Sequence, residues 1–393
     1  MSGFVKVKLG EIADVIDSLH QTPSYSETGL PMVRVTDIKR GFLNLSNTLK
    51  VGPEVFDKFS KNHTPKKGDI LFSRVGSYGN TCVVNNDTVF CLGQNTAFIV
   101  PKENPLFLYH FLNSPDGQFE IESSVAGSTQ PTVSLKSIKN FEVPLPSLEE
   151  QKSIASVFSS LDDKIDLLHR QNTTLETIAE TLFRQWFVEE AQEDWDEVTL
   201  SSLCTLITKG TTPTTLGHSF VEDGINFIKA ESITDAGGFI PEKFAKISAE
   251  THTFLKRSII QKSDVLCSIA GTIGRVAIVE DSILPANTNQ AIAILRVDES
   301  KCLPEFIYLF LKSDYFQEVM DGKIVHAVQP NLSLGEIGST TLRIAPFEKL
   351  VKFKELIKNI FGKKTNNLLQ IQTLEKLRDN LLPKLMSGEI RLG

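Results

Sequence analysis

The chain has 393 residues, of which 41% are hydrophobic, and a formal net charge of −7 at pH 7. This length predicts two or more domains with ordinary hydrophobic cores, and the lack of any run of eighteen apolar residues argues against a membrane-spanning helix. The start of the chain does not resemble a secretory signal peptide, so we expect a cytoplasmic protein. The five cysteines form no CxxC pair, which predicts reduced and mostly buried thiols rather than a zinc site.

The sequence contains one pattern twice, at an offset of roughly 195 residues. Residues 67–84 read KGDILFSRVGSYGNTCVV, and residues 262–279 read KSDVLCSIAGTIGRVAIV. FLYHFLNS at 107–114 likewise matches FIYLFLKS at 306–313, and TQPTVSL at 129–135 matches VQPNLSL at 328–334. A repeat of this length predicts a duplicated globular domain.

Each copy combines strand and helix signals. Short β-branched runs such as DILFSRV, TCVVNN and TAFIVP are separated by Gly or Asn, which predicts short strands. The aromatic stretches at 107–119 and 306–320 carry apolar residues at i, i+3 and i+4, which predicts helices. We therefore predict an α+β fold in which each copy is a mixed sheet or small barrel with a few short helices.

A long helix is predicted from Ser147 to about Phe187, because its apolar residues alternate at spacings of four and three. That spacing is typical of a coiled-coil seam, which a single helix cannot bury alone. The seam residues are Ile154, Phe158, Leu161, Ile165, Leu168, Asn172, Leu175, Ala179, Leu182 and Trp186. We interpret Trp186 and Phe187 as core packing, with subunit docking as the alternative.

A second long helix is predicted from about Phe347 to Leu385. Its seam residues are Phe353, Ile357, Ile360, Ile371, Leu374 and Leu381. The middle, GKKTNN at 362–367, is a poor helix former, and Pro383 should kink the helix or end it before the C-terminal tail. The predicted segments are therefore a domain at 1–146, a helix at 147–190, a domain at 191–346 and a helix at 347–393.

The two helical segments carry opposite charge. Residues 147–190 hold four basic and nine acidic side chains, whereas residues 347–393 hold ten basic and five acidic ones. This difference favours pairing of the two helices with each other, as an antiparallel coiled coil with a pseudo-twofold axis. Asn172 is expected to face Asn366 or Asn367, and such a polar layer would fix the register.

Motifs for catalysis are absent from the sequence. It contains no GxxxxGK[ST] phosphate loop, no GxGxxG after a strand and no HExxH. None of the seven histidines recurs at the matched position of the other repeat. Asp69 and Asp264 recur, and we interpret them as closing a turn before a strand. We therefore predict no catalytic site, no metal site and no cofactor in this chain.

Two polar loops recur in both domains: 73–81 with 268–276, and 127–134 with 326–333. Glycine permits close backbone approach, amides and arginines can pair with bases, and hydroxyls can contact phosphates. Tight turns between strands are the alternative, and the residues leave this choice open. The candidate DNA contacts in the first domain are Arg34, Lys39, Arg40, Arg74, Tyr78, Asn80, Thr129 and Gln130. Those in the second domain are Lys209, Thr211, Lys229, Thr272, Arg275, Gln329 and Asn331.

The whole chain resembles the specificity subunit of type I restriction–modification systems. The resemblance rests on GDILFSRVGSYG, QPTVSL with QPNLSL, PLPSLEEQKSIASVFSSLDDKI, TLFRQWF and LRDNLLPKLMSGEI, in an order of domain, helix, domain, helix. It implies a non-catalytic subunit with two target recognition domains, which reads a bipartite, asymmetric site in double-stranded DNA. It also implies two methyltransferase subunits and two restriction or translocase subunits as partners, which would bind the methyl donor and ATP.

Two other functions are considered beside this one. A bifunctional nuclease–methyltransferase would need a methyl-donor loop that the sequence lacks. A protein-binding adaptor built from duplicated domains would need no DNA specificity at all. The acidic second domain, with 13 basic and 20 acidic residues in 191–346, fits DNA binding poorly unless its basic residues share one face or partner subunits supply phosphate contacts.

Overall fold

The computed structural model describes residues 4–127, 130–324 and 332–392, and the chain divides into two compact units. One unit joins residues 1–168 to residues 368–393, and the other spans residues 169–367. Each unit thus contains one predicted globular domain together with part of each long helix.

The first unit is α+β, as predicted. Its strands are β1 (Val5–Lys8), β2 (Ala13–Asp17), β3 (Leu30–Val33), β4 (Leu49–Val51), β5 (Ile70–Ser73), β6 (Thr81–Val83), β7 (Cys91–Leu92), β8 (Thr96–Pro101), β9 (Val125–Ala126), β10 (Thr132–Val133) and β11 (Glu142–Leu145). Its short helices are α1 (Leu9–Ile12), α2 (Pro53–Phe59), α3 (Pro105–Leu112), α4 (Pro115–Ser123) and α5 (Leu135–Asn140). The long helix α6 spans Leu148–Arg184 and continues into a wider π-helical turn, Gln185–Glu189.

The second unit repeats this series. Its strands are β12 (Asp196–Thr199), β13 (Cys204–Lys209), β14 (Phe220–Val221), β15 (Ile225–Ile228), β16 (Ala245–Ile247), β17 (Ile259–Ile260), β18 (Val265–Ser268), β19 (Val276–Ile278), β20 (Ala286–Thr288), β21 (Ile292–Val297) and β22 (Thr341–Ile344). Its short helices are α7 (Ala249–Phe254), α8 (Pro304–Lys312), α9 (Asp314–Ile324) and α10 (Leu334–Ser339), and the second long helix α11 spans Phe347–Met386.

Sheet topology confirms the duplication. The antiparallel sheet β2-β8-β5-β6 corresponds to β13-β21-β18-β19, and the mixed sheet β4-β3-β7 corresponds to β16-β15-β20 within a larger sheet. The parallel pair recurs as well, since β3 pairs with β7 and β15 pairs with β20. Asp69 and Asp264 both accept a backbone N–H three residues earlier, from Lys66 at 2.8 Å and Gln261 at 2.7 Å, which confirms that they close matching turns.

Each predicted aromatic stretch forms two helices divided by a capping residue, α3 and α4 in the first unit and α8 and α9 in the second. Asn104 accepts the N–H of Phe107 and begins α3, and Ser114 accepts the N–H of Gly117 and begins α4. The serine of each QPxxSL motif has the same role, because Ser134 caps α5 and Ser333 caps α10. The motif therefore recurs within the chain because it begins a helix in both units.

The long helices pack antiparallel within each unit. In the second unit, Asn172 meets Asn367, Glu176 meets Lys364, and Phe187 meets Phe353, so residue numbers rise on α6 as they fall on α11. In the first unit, Asp162 accepts a hydrogen bond from Arg378 at 3.0 Å, and Leu168 packs with Ile371. The pairing follows the heptad spacing of both sequences.

The weak middle of α11 is helical because its polar residues have partners. Lys364 and Asn367 occupy the two inward positions between Ile360 and Ile371, and Gly362 lies on the exposed face. Asn367 donates to Asn172 Oδ1 at 2.9 Å, whereas Asn366 is exposed, so the polar layer expected from the sequence involves Asn367. The helix also runs through Pro383 to Met386, where Leu385 and Met386 are buried in the core of the first unit.

The polar layer provides a stability prediction. The positions matched to Asn172 and Asn367 in the repeat are Ile371 and Leu168, which are both buried. Asn367→Leu alone should lower the free energy of unfolding by about 1–3 kcal/mol, because it leaves the Asn172 amide buried without its partner. The double variant N172I/N367L copies the matched apolar layer and should be at least as stable as the wild type. Urea unfolding measures both, and a double variant less stable than the single one would contradict this interpretation.

His110 ties α3 to the first long helix inside the core of the first unit. Its ring packs on Phe158 with centroids 5.3 Å apart, and Nδ1 lies 3.9 Å from Asp162 Oδ2. Neither ring nitrogen has a hydrogen-bond partner within the described part of the chain. Burial, assisted by Arg40 and Arg378, outweighs the attraction of Asp162 and lowers the pKa of His110 to about 4. The folded protein therefore holds a neutral histidine.

This lowered pKa predicts a pH-dependent loss of stability. Below about pH 6.5 this histidine is protonated in the unfolded chain, whereas in the folded protein it stays neutral until about pH 4. The free energy of unfolding therefore falls as the pH drops through this window. At pH 4.5 the loss should reach about 2–3 kcal/mol. His110→Leu copies Leu309, the matched residue of the repeat. Urea unfolding at pH 7 and 4.5 should show that this variant loses less stability than the wild type, and equal losses would refute the assignment.

Candidate nucleic-acid interface

Three loops of the first unit meet at the end of strands β5 and β8. Val75 forms a bridge with Thr132, and the N–H of Val133 donates to Arg74 O at 2.9 Å. The N–H of Arg74 in turn donates to Asn95 O at 2.9 Å. The two polar loops singled out from the sequence are thus neighbours, and residues 93–96 are a third member. We call residues 73–81, 93–96 and 130–133 the first loop cluster.

The glycines of this cluster serve the turn itself. Gly76 and Gly79 have φ values of +74° and +78°, and a Cβ on Gly79 would lie 2.9 Å from Ile121 Cγ2. Ser73 closes the turn by accepting the N–H of Asn80 at 2.9 Å and donating to Ser77 O at 2.7 Å. The shared Ser and Gly positions therefore build a frame, and the side chains between them are left to vary.

The second unit builds the same frame. Gly271 and Gly274 have φ values of +75° and +88°, and Ser268 accepts the N–H of Arg275 at 2.8 Å. The N–H of Ile269 donates to Ala291 O, and the N–H of Leu332 donates to Ile269 O, as in the first unit. Residues 209–212 join this second loop cluster, defined as 209–212, 268–276 and 288–291, because the N–H of Thr211 donates to Thr288 O at 3.2 Å.

The candidate contacts of the first domain divide by exposure. Lys39, Arg40, Asn80 and Gln130 are exposed, and Tyr78 is half-buried. Gln130 and Asn80 lie on the first loop cluster. The charge of Arg40 acts to lower the pKa of Tyr109 and of His110, which lie beside the helix pair. The structure thus brings the loop residues together, and Arg40 precedes Gly41, which accepts the N–H of Val83 at 3.0 Å just after the 73–81 loop. Thr129 lies outside the described residues.

Two candidate arginines of the first domain, Arg34 and Arg74, already have partners. Arg34 forms a bidentate pair with Asp37, with both N–O distances at 3.0 Å. Arg74 is buried, donates to Val133 O at 3.1 Å and pairs with Asp17. A buried guanidinium with these partners is placed to hold the 130–133 loop, and a base contact by Arg74 would require it to leave them.

The candidate contacts of the second domain lie around its loop cluster. Thr272 is exposed, and Lys209 and Thr211 are half-buried. Arg275 donates to Asp235 Oδ1 at 2.7 Å and to Ile233 O at 2.9 Å. The ammonium of Lys229 lies 5.1 Å from the centroid of the Phe220 ring, in cation–π geometry. Gln329 and Asn331 lie outside the described residues.

Sequence reasoning missed three neighbours of these loops. Arg257 is exposed and donates to Thr211 Oγ1 at 3.4 Å, and Gln290 accepts a hydrogen bond from Thr212. Gln94 is exposed at the matching position of the first unit. The recurrence of Gln94 and Gln290 in the repeat was a usable signal, whereas nothing in the sequence around Arg257 indicated its position.

Pairing with carboxylates compensates the charge of three candidate arginines. Arg34, Arg74 and Arg275 each have an aspartate partner, and the second domain remains acidic as a whole. Phosphate binding requires uncompensated positive charge, so these three arginines are better suited to base-edge contacts or to holding a loop than to strong phosphate binding. The helix seam residues are all buried or half-buried, and Trp186 packs on Phe353 with centroids 5.8 Å apart.

The described residues do not form a metal site or a membrane-spanning helix. In the described ranges, no three His, Cys, Asp or Glu side chains are grouped to hold a metal ion, and no helix there is long and apolar enough to cross a membrane. The cysteines are free thiols, and burial raises the pKa of each to about 12, which makes them poor nucleophiles at neutral pH.

Comparison with known proteins points to one family. The family model for the type I restriction modification DNA specificity domain matches residues 1–177 and 192–377. The MjaIX specificity subunit of Methanocaldococcus jannaschii is 30% identical over 355 residues, covering 83% of this chain and 78% of the relative. The HindI specificity subunit of Haemophilus influenzae is 25% identical over 410 residues, covering 83% and 87%. The crystal structure of the S subunit from M. genitalium has the same fold, with a TM-score of 0.58 at 17% identity and coverage of 97% and 96%.

Proposed function

This chain belongs to the DNA specificity subunits of type I restriction–modification systems, which are non-catalytic, and we propose that its two recognition domains read the two halves of one bipartite, asymmetric DNA site. Two domains related by duplication suit two half-sites. Side chains at matched positions around the shared glycines differ, as Tyr78 does from Ile273 and Asn80 from Arg275, so each domain would read a different sequence. This pairing of one backbone frame with divergent side chains is the observation that carries the proposal.

The proposed base contacts are the candidate side chains of the two domains, and those among them that the structure describes are grouped mainly on or beside the loop clusters. In the first domain they are Arg34, Tyr78, Asn80, Thr129 and Gln130, with Lys39 and Arg40 as phosphate contacts and Arg74 as the residue that holds the loop. In the second domain they are Lys209, Thr211, Lys229, Thr272, Arg275, Gln329 and Asn331. Asparagine and glutamine suit adenine, and arginine suits guanine, through bidentate hydrogen bonds in the major groove.

The proposed assembly contains two methyltransferase subunits and, for cleavage, two restriction or translocase subunits. These partners would bind the methyl donor and ATP, and the complex would act in the cytoplasm. The acidic second domain and the paired arginines support this division of labour, because partner subunits would then supply much of the phosphate contact. The paired long helices would set the distance between the half-sites.

DNA binding by the assembled complex tests this function. The chain with its methyltransferase subunits should bind its target duplex about 10³-fold or more tightly than unrelated DNA, with an affinity that falls steeply with salt. The chain alone should bind much more weakly. A complex that binds all duplexes equally at every salt concentration would favour the protein-adaptor alternative, and methyl transfer by the pure chain would favour a bifunctional enzyme.

A further inference from the structure

A buried charged cluster in the second unit links the long helices to the recognition domain. Glu176 of α6 is 7% exposed and accepts hydrogen bonds from Lys312 at 2.8 Å, from Lys364 and from Tyr308. We call Glu176, Tyr308, Lys312 and Lys364 the Glu176 clamp. Its members come from α6, α8 and α11, so it joins three helices at one point.

The clamp is charged in the folded protein. Burial alone would raise the pKa of Glu176, but Lys364 and Lys312 outweigh it and hold the pKa below the ordinary value. The pKa of Lys312 is raised in turn, because Glu176 outweighs the effect of burial. Ion pairs buried in this way seldom add stability over well-packed apolar residues. Stability alone therefore does not account for this cluster.

The clamp also holds a loop of the recognition domain. Lys364 Nζ donates to Ala236 O at 2.9 Å, and this loop runs between Ile233 and Phe239, which form a bridge with each other. Gly237 in the loop has a φ of +70°, and a Cβ there would lie 2.3 Å from Tyr308 Oη. The glycine thus lets the loop lie directly on the clamp.

The same loop carries the partner of Arg275. Asp235 Oδ1 accepts from Arg275 Nε, and Ile233 O accepts from Arg275 Nη1. Arg275 belongs to the second loop cluster, where its N–H is held by Ser268. A continuous set of contacts therefore runs from Glu176 through Lys364 and the 233–239 loop to a candidate base-reading arginine.

The first unit lacks the two lysines of this arrangement. Tyr109 matches Tyr308, and its hydroxyl accepts the N–H of Gly41 at 2.7 Å, so the corresponding loop also lies on a tyrosine. Ile165 stands at the position of Lys364, and Asn113 stands at the position of Lys312. The lysine contact to the loop is thus particular to the second recognition domain.

We propose that the Glu176 clamp positions Arg275, so that Glu176 and Lys364 set the sequence discrimination of the second half-site without touching DNA. This inference rests on the proposed function. Loss of the Lys364 contact frees the 233–239 loop and with it the guanidinium that the loop orients. Discrimination at the second half-site should then fall about 10-fold, within the range for one lost base contact, while the first half-site is unaffected.

The test uses the complex with methyltransferase subunits and the target site defined by methylation mapping. Binding is measured to the target duplex and to duplexes with one base pair changed in either half. Lys364→Ile copies Ile165, and Lys363→Ile, at an exposed neighbour on the same helix, is the matched control. Asp235→Asn is the second variant, and because Asp235 is 86% exposed it should fold normally.

The expected result is a selective loss with K364I and D235N, and wild-type discrimination with K363I. Unchanged discrimination at the second half-site in K364I or in D235N, or an equal loss at both halves in either variant, would overturn the inference. Absence of any sequence preference in the wild-type complex would instead refute the proposed function, so the two failures are distinguishable.

Discussion

Replacing Phe353 with alanine should lower the free energy of unfolding of the second unit by about 3–5 kcal/mol. Phe353 is fully buried on α11, and its ring meets Phe187 edge to face with centroids 4.7 Å apart. It also packs on Phe183 and Trp186 of the other long helix. Truncation would leave a cavity where the two helices and their domain meet, and the surrounding rings can close it only in part.

Tryptophan fluorescence during urea unfolding is a suitable measurement. Of the two tryptophans of the chain, Trp195 lies in the hydrophobic core of the second unit and Trp186 packs against this core. Phe347→Ala is the matched control, since Phe347 is 43% exposed on the same helix and should change stability by no more than about 0.5 kcal/mol. Equal effects of the two substitutions would contradict the assignment of Phe353 to the core.

Insertion of one heptad into each long helix should lengthen the spacer of the recognised site by about three base pairs. Seven residues add about 10 Å to a helix, and DNA rises about 3.4 Å per base pair. Repeating residues 165–171 and 368–374 in tandem keeps the phase of both seams. The half-site sequences should stay the same, because the loop clusters are untouched.

Methylation mapping of a strain that carries the longer chain measures the spacer. A two-residue insertion in each helix is the control, because it turns each seam by about 200° and should abolish methylation. A spacer of unchanged length with the heptad insertion would show that the helices do not set the distance between half-sites.

The apolar periodicity predicted the two long helices well, but it underestimated how wide the buried face of each helix is. The alternating spacing gave Leu175, Leu182 and Trp186 as seam residues, and they are half-buried. Their neighbours Glu176, Phe183 and Phe187 are more deeply buried. Each helix packs on its partner and on a domain at once, so its buried face is wider than the two positions per heptad of an isolated coiled coil.

The loops show a different limit of sequence reasoning. Repetition of Ser, Gly and Gln-Pro located both loop clusters, because a shared backbone frame requires shared residues. Repetition could not assign Arg74 and Arg275, whose partners Asp17 and Asp235 are distant in the chain. It also could not find Lys364, since the matched residue is Ile165 and a lysine in a helix is usually exposed. Side chains that distinguish the two repeats depend on tertiary contacts that a repeat does not reveal.

Exchange of one recognition domain tests the central claim most directly. Residues 1–146 would be replaced by the corresponding domain of a related specificity subunit of known target, and the chimera expressed with its methyltransferase subunits. Genome-wide methylation mapping should show that one half-site becomes that of the donor, while the other half-site remains that of the original chain. A change in both half-sites, or in neither, would contradict the reading of one half-site by each domain.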